Sequence, residues 1–327
     1  MLERMVKRTP PPFFSVIIPI YNKEPHVERA LTSVLMQSFK DFEIIVINDA
    51  CTDGSMRVVE SLKCDNIRII KRESPGPGGY AARNIGIKNA NGKWISFLDA
   101  DDEWLPTHLE NYFKLINKYK VIGVLGCSYT IISEYKSTLY SKKDDYSIRI
   151  SKNREHHLTF QEYLNAELNG IRPIFTSVAC IKRSILIEIG SFPAGLTSRG
   201  GDIDTWMRSI ELSGGMMWSE NIGAVYYQNS INMVTKKSCA DLNFNKNSIK
   251  KLLVNSNGKN KKLLKKYSNR RTISAWKGNL NITNCYSGQL FSKMYFVWDF
   301  YSFFWVGISV MPHSFLVFIK NKKRIWH

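Results

Sequence analysis

The sequence predicts an α/β fold, with a mostly parallel central sheet, helices on both faces, and a basic, aromatic-rich helical tail. Three observations carry that prediction. The apolar runs FSVIIPI (14–20), FEIIVIN (42–48) and WISFL (94–98) are continuous rather than alternating, as strands covered on both faces are. Stretches with helical spacing separate the runs, as crossovers between parallel strands require. Each run also stops at a polar residue, Tyr21, Asp49 or Asp99. Open α/β sheets take their ligands at the carboxyl ends of the strands, so these stops are site candidates.

In chain order, Phe14–Ile20 reads as the first strand. Pro25–Gln37 has Val27, Ala30, Leu31, Val34 and Leu35 on one helical face. Phe42–Asn48 is a second strand, Asp53–Leu62 a helix and Asn66–Lys71 a third strand. The glycine- and proline-rich loop Gly76–Gly79 leads into a helix over Tyr80–Asn89, and Trp94–Leu98 is the fourth strand. A helix follows Pro106 to about Lys120, then a strand near Val121–Ile131. Glu134–His157 is polar and reads as a loop or flap. Beyond it are a helix over Leu158–Asn169, a strand over Thr176–Ile181 and a helix over Arg183–Ile189, stopped by Gly190. Asp202–Ser213 reads as a helix ended by Gly214-Gly215, and Ala224–Gln228 as a strand.

The formal charge of +18 is unevenly spread. From Lys236 onward there are 18 Lys and Arg against Asp241 and Asp299 alone, while residues 1–235 hold 28 basic and 26 acidic groups. A nearly neutral body therefore precedes a basic tail. The expected division is an extension over 1–12, a body over 13–235 made of halves 13–105 and 106–235, and the tail over 236–327. Met1–Pro12 lacks the apolar core of a signal peptide. The six cysteines are scattered without a CxxC pair, which reads as free thiols in a reducing cytoplasm rather than a disulfide framework or zinc site.

The acidic turn after the fourth strand holds the most pointed chemistry. Asp99, Asp101, Asp102 and Glu103 fall within five positions. Clustered carboxylates repel one another, so a fold tolerates them best when a cation or basic partner is present, and hard oxygens suit Mg²⁺ or Mn²⁺ bridging to a substrate phosphate. A polar turn capping the helix near Thr107 is the other reading. Tyr21 could stack on a base or be a surface turn. Asp49 could accept from a base N–H or cap the next helix. Arg83 sits in the first turns of a helix whose N-terminus favours anions, and its fork matches phosphate geometry, or it is simply solvated.

Four segments turn these candidates into a pattern: SVIIPIYNKE, EIIVINDACTDGS, GGYAARNIGIKNANGKWISFLDADD and GGDIDTWMR. In order and spacing they resemble the family 2 glycosyltransferases, of GT-A fold, over roughly residues 14–230. The resemblance implies transfer of a sugar from a nucleotide-diphosphate donor, UDP-linked by expectation, with inversion at the anomeric carbon. It implies that Ile20, Tyr21 and Asp49 hold the nucleobase and that Arg83 lies near base and phosphates. Asp99 would contact the nucleoside and Asp101 the Mg²⁺ or Mn²⁺ on the diphosphate, with the role of Asp102 open. Asp202 falls where the family has its general base, though it could instead be the N-cap of its helix. Asp204 is the less favoured alternative base, and Trp206 is a candidate lining residue of the acceptor pocket.

Two departures stand out. Gly201 replaces the acid that usually precedes the base, and Gln228 and Asn229 stand where relatives often carry a His that reaches the metal or diphosphate. They keep open a non-catalytic sugar- or membrane-binding protein on a transferase scaffold. A nucleotidyltransferase would be expected to carry a glycine-rich phosphate loop after the first strand, and Tyr21-Asn22-Lys23-Glu24 is not one.

Phe300–Ile319 holds about twenty residues without a charged side chain, bracketed by Lys293 and by a basic run at 320–324. Pro312, His313 and several Ser weaken a spanning helix. An interfacial anchor on anionic lipid, a span, or an ordinary core or oligomer helix are the three readings. No nucleic-acid motif accompanies the charge, so nucleic acid is not an expected partner. The expectation is a cytoplasmic enzyme, peripheral on the inner face of the membrane. Its acceptor would be a glycan or a polyprenyl-linked chain in surface-polysaccharide synthesis. The sequence says nothing of oligomeric state.

Overall fold

The computed structural model describes residues 10–312 and 316, apart from 65, 121, 136–137, 150–153, 232–238, 257, 281–289 and 298. The first half runs β1 (Phe14–Ile20), α1 (Glu24–Leu35), β2 (Phe42–Asn48), α2 (Ser55–Ser61), β3 (Ile67–Lys71), α3 (Tyr80–Asn89) and β4 (Trp94–Phe97). Next come β5 (Glu103–Trp104), α4 (His108–Lys118), β6 (Val124–Tyr135), β7 (Thr138–Lys143), α5 (Asp145–Arg149) and β8 (Glu155–Leu158). α6 (Phe160–Leu168), β9 (Cys180–Lys182), α7 (Arg183–Glu188), α8 (Gly201–Leu212) and β10 (Met216–Tyr227) follow. The basic segment contributes α9 (Phe244–Ser248), α10 (Lys250–Asn255), α11 (Gly258–Asn279) and α12 (Phe300–Ser309).

The strands form one sheet in the order β3-β2-β1-β4-β9-β6-β10-β5, with β7 on β6 and β8 on β10. β3, β2, β1 and β4 are mutually parallel, and β6 and β10 run the same way. β1 and β2 are in register from Phe14 opposite Phe42 to Ile20 opposite Asn48, so Tyr21 and Asp49 emerge side by side. The continuous apolar runs are explained by two cores. Ile17 of β1 packs with α3 and α8 residues on one face, while Val16, Ile18 and Ile20 pack with α1 and α4 on the other.

Antiparallel pairing is the part the sequence concealed. The expected flap over 134–157 includes β7, α5 and β8 instead, with β6 prolonged to Tyr135. Buried Asp144 pins this hairpin by accepting from Ser128 Oγ (2.6 Å), Tyr129 N (3.1 Å) and Ser147 N (2.8 Å). The expected strand 176–181 is a 3₁₀ turn at Thr176–Val178 followed by β9. β10 starts eight residues earlier than Ala224, because a bulge between Ser219 and Ile222 breaks the apolar pattern.

The composition break at 236 is not a break in packing. Ile249, Leu252, Leu264 and Tyr267 share a hydrophobic cluster with Tyr163, Trp206 and Trp218 of the body. Asn279 of α11 exchanges two 2.8 Å hydrogen bonds with the backbone of Ala240. Among the described residues no helix is long and apolar enough to cross a membrane. α12 is short and two-faced: Trp305 and Ile308 are buried, while Phe300, Phe303 and Phe304 are exposed. Parts of the expected 300–319 segment and the basic run at 320–324 lie outside the described residues, as do residues 1–9 of the N-terminal extension. The free-thiol reading holds for Cys51, Cys64, Cys127 and Cys180 but not for Cys239, which is disulfide-bonded.

Candidate active site

A cavity of about 420 Å³ opens at the carboxyl ends of β1, β2 and β4. Of the residues anticipated from sequence, Ile20, Tyr21, Asp49, Arg83, Asp99, Asp101 and Asp202 line it. Asp102, Asp204 and Trp206 are not among its lining residues.

The floor is made of acids, each already holding a cation. Asp49 is buried and bonded to Arg72, the residue that follows β3. Burial pushes the Asp49 carboxyl above its usual range, and the Arg72 charge opposes that. Ala50 takes a left-handed φ of 59° directly after Asp49, held by a 2.9 Å bond from Cys51 N to Asn48 Oδ1. Arg83 donates to Asp99 Oδ1 at 2.5 Å and to Gly78 O at 3.0 Å. Burial raises the Asp99 carboxyl and Arg83 offsets the rise. Gly78 and Gly79 are both left-handed, at φ 72° and 67°, which lets the loop bring its carbonyl onto that guanidinium.

Asp101 is gripped more firmly than the sequence suggests. Lys23 Nζ lies 2.5 Å from Asp101 Oδ2, 3.0 Å from Ser230 Oγ and 2.6 Å from Ile231 O, so its three donors are all engaged. Ser230 Oγ donates to the same Oδ2. Arg29, stacked 3.7 Å over the Tyr227 ring, donates to the Asp101 carbonyl at 2.6 Å. Asp102 turns inward. Its carboxylate accepts from Ser177 Oγ (2.5 Å) and Tyr227 N (3.2 Å), and burial, then Asp101 and Asp99, raise it well above the carboxylate range. Its place is in the turn's framework.

The opposite wall is built on α8. Its N-cap is Gly200, in a left-handed conformation and without a side-chain cap, so Asp202 is not the cap of the helix. Among the described residues the Asp202 carboxylate makes no hydrogen bond or ion pair, which leaves it available to take a proton. Asp204 points away from the cavity into an ion pair with Arg208 (2.8 Å), which also donates to Ile189 O (2.5 Å) and Ser191 O (2.8 Å). Trp206 is fully buried against Phe97 and Phe192 and does not line a pocket. The departure at Gly201 has a steric cause. A Cβ there would stand 2.8 Å from Pro193 Cγ and from the Tyr80 ring, whose hydroxyl accepts from Gly201 N at 2.9 Å.

Sequence reasoning missed Lys23, Arg72, Tyr80, Arg172, Arg199 and Arg271. Arg72 had a signal, since it directly follows a strand parallel to the one ending at Asp49. The others meet only through folding, Arg271 arriving from α11.

Asp99 and Asp101 fit a divalent cation in part. Each leaves a carboxylate oxygen with no protein partner among the described residues, and hard oxygens suit Mg²⁺ or Mn²⁺. No group of three ligating side chains occurs among the described residues, so further ligands would come from substrate or water.

Comparison with known proteins places these features in a common setting. The family model "Glycosyl transferase family 2" matches residues 15–190. An uncharacterized glycosyltransferase of Rickettsia prowazekii is 32% identical over 203 residues, 62% of this chain and 60% of that protein. The minor teichoic acid biosynthesis protein GgaA of Bacillus subtilis is 40% identical over 127 residues, 36% of this chain and 28% of that one. The chain thus spans about three fifths of the length of the first of these relatives and less of the second. The crystal structure of S. aureus TarS 1–349 in complex with UDP-GlcNAc superposes with a TM-score of 0.66 at 20% identity, over 79% of this chain and 72% of that one. The shared architecture is the GT-A fold.

Proposed function

Because the chain belongs to the family 2 glycosyltransferases, we propose that it transfers a sugar from a nucleotide-diphosphate donor, a UDP-sugar, to a hydroxyl of a glycan or lipid-linked acceptor, with inversion. The carrying observation is that Asp202, its carboxylate free among the described residues, faces the same cavity as Asp49, Arg83, Asp99 and Asp101. Tyr21, half-exposed at the mouth, and Asp49 with Arg72 suit a nucleobase. Asp99 with Arg83 suits the nucleoside and Asp101 the diphosphate end. Asp202 removes the acceptor proton as that oxygen bonds to the anomeric carbon, while the bond from carbon to the diphosphate oxygen breaks on the far side. Mg²⁺ or Mn²⁺, when held at Asp99 and Asp101, supplies positive charge to the departing diphosphate.

Gly201, which kept a non-catalytic reading open, is accounted for by Tyr80. A role in cell-surface glycan synthesis is supported by the likeness to the teichoic acid protein. Peripheral attachment to an anionic membrane is supported by the exposed Phe300, Phe303 and Phe304 on α12 beside Lys293 and the basic segment.

Incubation with a panel of nucleotide sugars and Mn²⁺ tests the reading. Slow donor hydrolysis that disappears in Asp101→Ala is expected, with transfer down roughly 10²–10⁴-fold in Asp202→Asn. Failure to bind any donor in the panel would sink it.

A further inference from the structure

Donor-side cations are all committed: Lys23 to Asp101, Arg72 to Asp49 and Arg83 to Asp99. Arg172 and Arg271 line the same cavity and are not so committed. Among the described residues neither Arg172 nor Arg271 makes a hydrogen bond or an ion pair within 4 Å. Arg271 is half-buried and reaches from α11 until its Nη2 lies 3.1 Å from the Cβ position of Gly200, two residues before Asp202. Arg199 approaches the same helix, its Nη1 being 3.3 Å from the Cβ position of Gly278.

Arg172 is exposed and Arg271 half-buried, so each keeps guanidinium donors that no carboxylate occupies and that an incoming anion can take. Burial lowers Arg199, and Arg271 adds to that while Tyr80 opposes it, as neighbouring like charges should. Burial opposes the charge on Arg271, and Tyr267, Glu167 and Asp202 outweigh that burial without hydrogen-bonding to it among the described residues. Glu167 is buried and pushed towards its neutral form by that burial, against the pull of Arg271 and Arg172. Asp202 is reserved for the proton. Planar guanidinium forks such as those of Arg172 and Arg271 match the several oxygens of a phosphoryl group better than one carboxylate.

We infer that Arg172 and Arg271 form an acceptor subsite for a phosphoryl group, so that the acceptor is a phosphorylated glycan, alditol or lipid. The assignment rests on the transferase reading above. In an inverting displacement the acceptor approaches on the base's side and the diphosphate leaves on the other. A phosphate held beside Gly200 and Asp202 therefore belongs to the acceptor. The donor's diphosphate lies across the cavity, towards Asp101. This also gives the basic segment a task inside the site, since α11 supplies Arg271, Ser274 and Ala275 to the wall.

The test titrates glycerol 3-phosphate, with glycerol as control, into the full-length protein saturated with UDP and Mn²⁺. Wild type is expected to bind glycerol 3-phosphate on top of UDP and to ignore glycerol. Arg271→Met and Arg172→Ala should each weaken glycerol 3-phosphate binding at least tenfold while the UDP dissociation constant moves less than twofold. Arg271→Lys should fall between. Arg172 is exposed, so its variant stays informative if Arg271→Met fails to fold by circular dichroism. Competition between glycerol 3-phosphate and UDP, or loss of UDP affinity in both variants, would assign the arginines to the donor and overturn the inference. Equal binding of glycerol and its phosphate, or of glucuronate and the phosphate, would overturn it too. No UDP binding by wild type sinks the transferase reading and this inference together, whereas UDP binding without phosphate dependence sinks the inference alone.

Discussion

Asp204→Ala separates the two acids at the start of α8. Asp204 is 5% exposed and ion-paired at 2.8 Å with Arg208, whose side chain is itself only 18% exposed. Removing the carboxylate leaves a largely buried guanidinium without its counter-charge, a change that costs about 3–5 kcal/mol when one partner of a buried pair is deleted. Arg208 keeps Ile189 O, Ser191 O and Thr205 Oγ1 as acceptors, which places the loss near the lower end, at about 3 kcal/mol. An unfolding entropy of roughly 2.1 cal/mol/K per residue over the chain makes that a fall of about 4 °C in Tm. Thermal unfolding followed by circular dichroism, with UDP binding measured in parallel, reads both effects. Asp204→Ala should melt earlier and still bind UDP at low temperature. Asp202→Asn should melt within about 1 °C of wild type, as a substitution of a partly exposed, unpaired group does, yet lose transfer. The reverse pattern, an unshifted Tm with transfer abolished in Asp204→Ala and retained in Asp202→Asn, would refute the assignment of the base.

Gly201→Glu, which restores the acid usual at this place in the family, should lower transfer instead of raising it. Any Cβ there meets Tyr80 and Pro193 at 2.8 Å, and overpacking of this kind costs about 1–3 kcal/mol, readable by urea unfolding. Burial pushes His108 down to about 3, among Trp104, Tyr112 and Cys127. Its folded pKa is depressed, so its contribution is complete above the unfolded value near 6.5 and is lost as pH falls towards 3. By pH 5 about 2 kcal/mol should be gone, and His108→Leu should flatten that acid limb of the urea midpoint against pH. Lys23→Met should tighten Mn²⁺ binding, followed by electron paramagnetic resonance, by roughly tenfold or about 1.4 kcal/mol, because the ammonium on Asp101 Oδ2 no longer competes. An unchanged Mn²⁺ affinity would mean that the cation never displaces Lys23.

The parallel half of the fold was legible because β1, β2 and β4 are covered on both faces, so apolar residues run continuously along them with few exceptions, such as the small, buried Ser15 and Ser96. The hairpin at 134–158 was not. Edge strands such as β7 and β8 have one partner each, so polar residues such as Ser141, Lys142, Glu155 and His156 are tolerated there and read as loop. The acidic floor of the cavity was legible for a related reason. Strands that run parallel and end in register bring Tyr21 and Asp49 to one edge, so order along the chain predicts neighbours in space. Arg72 was available by the same logic.

Nothing comparable announced the wall beside Asp202. Gly200, Tyr80 and Arg271 are 71 to 191 residues apart in sequence, and their meeting depends on α11 docking against α6 and α8. Within the basic segment, Arg271 looks like any other cation in a solvated run. What distinguishes it is the company of Leu264, Tyr267 and Ile273 on the buried side of the same helix, which commits α11 to the body and carries one guanidinium in with it. Charge counted along a chain therefore misleads when a helix is amphipathic: the lysines at 259, 261 and 262 and the arginine at 271 share a composition but not an address. The uneven charge of this protein thus divides in two, one part on the exposed face of the basic segment and one in the cavity beside Asp202.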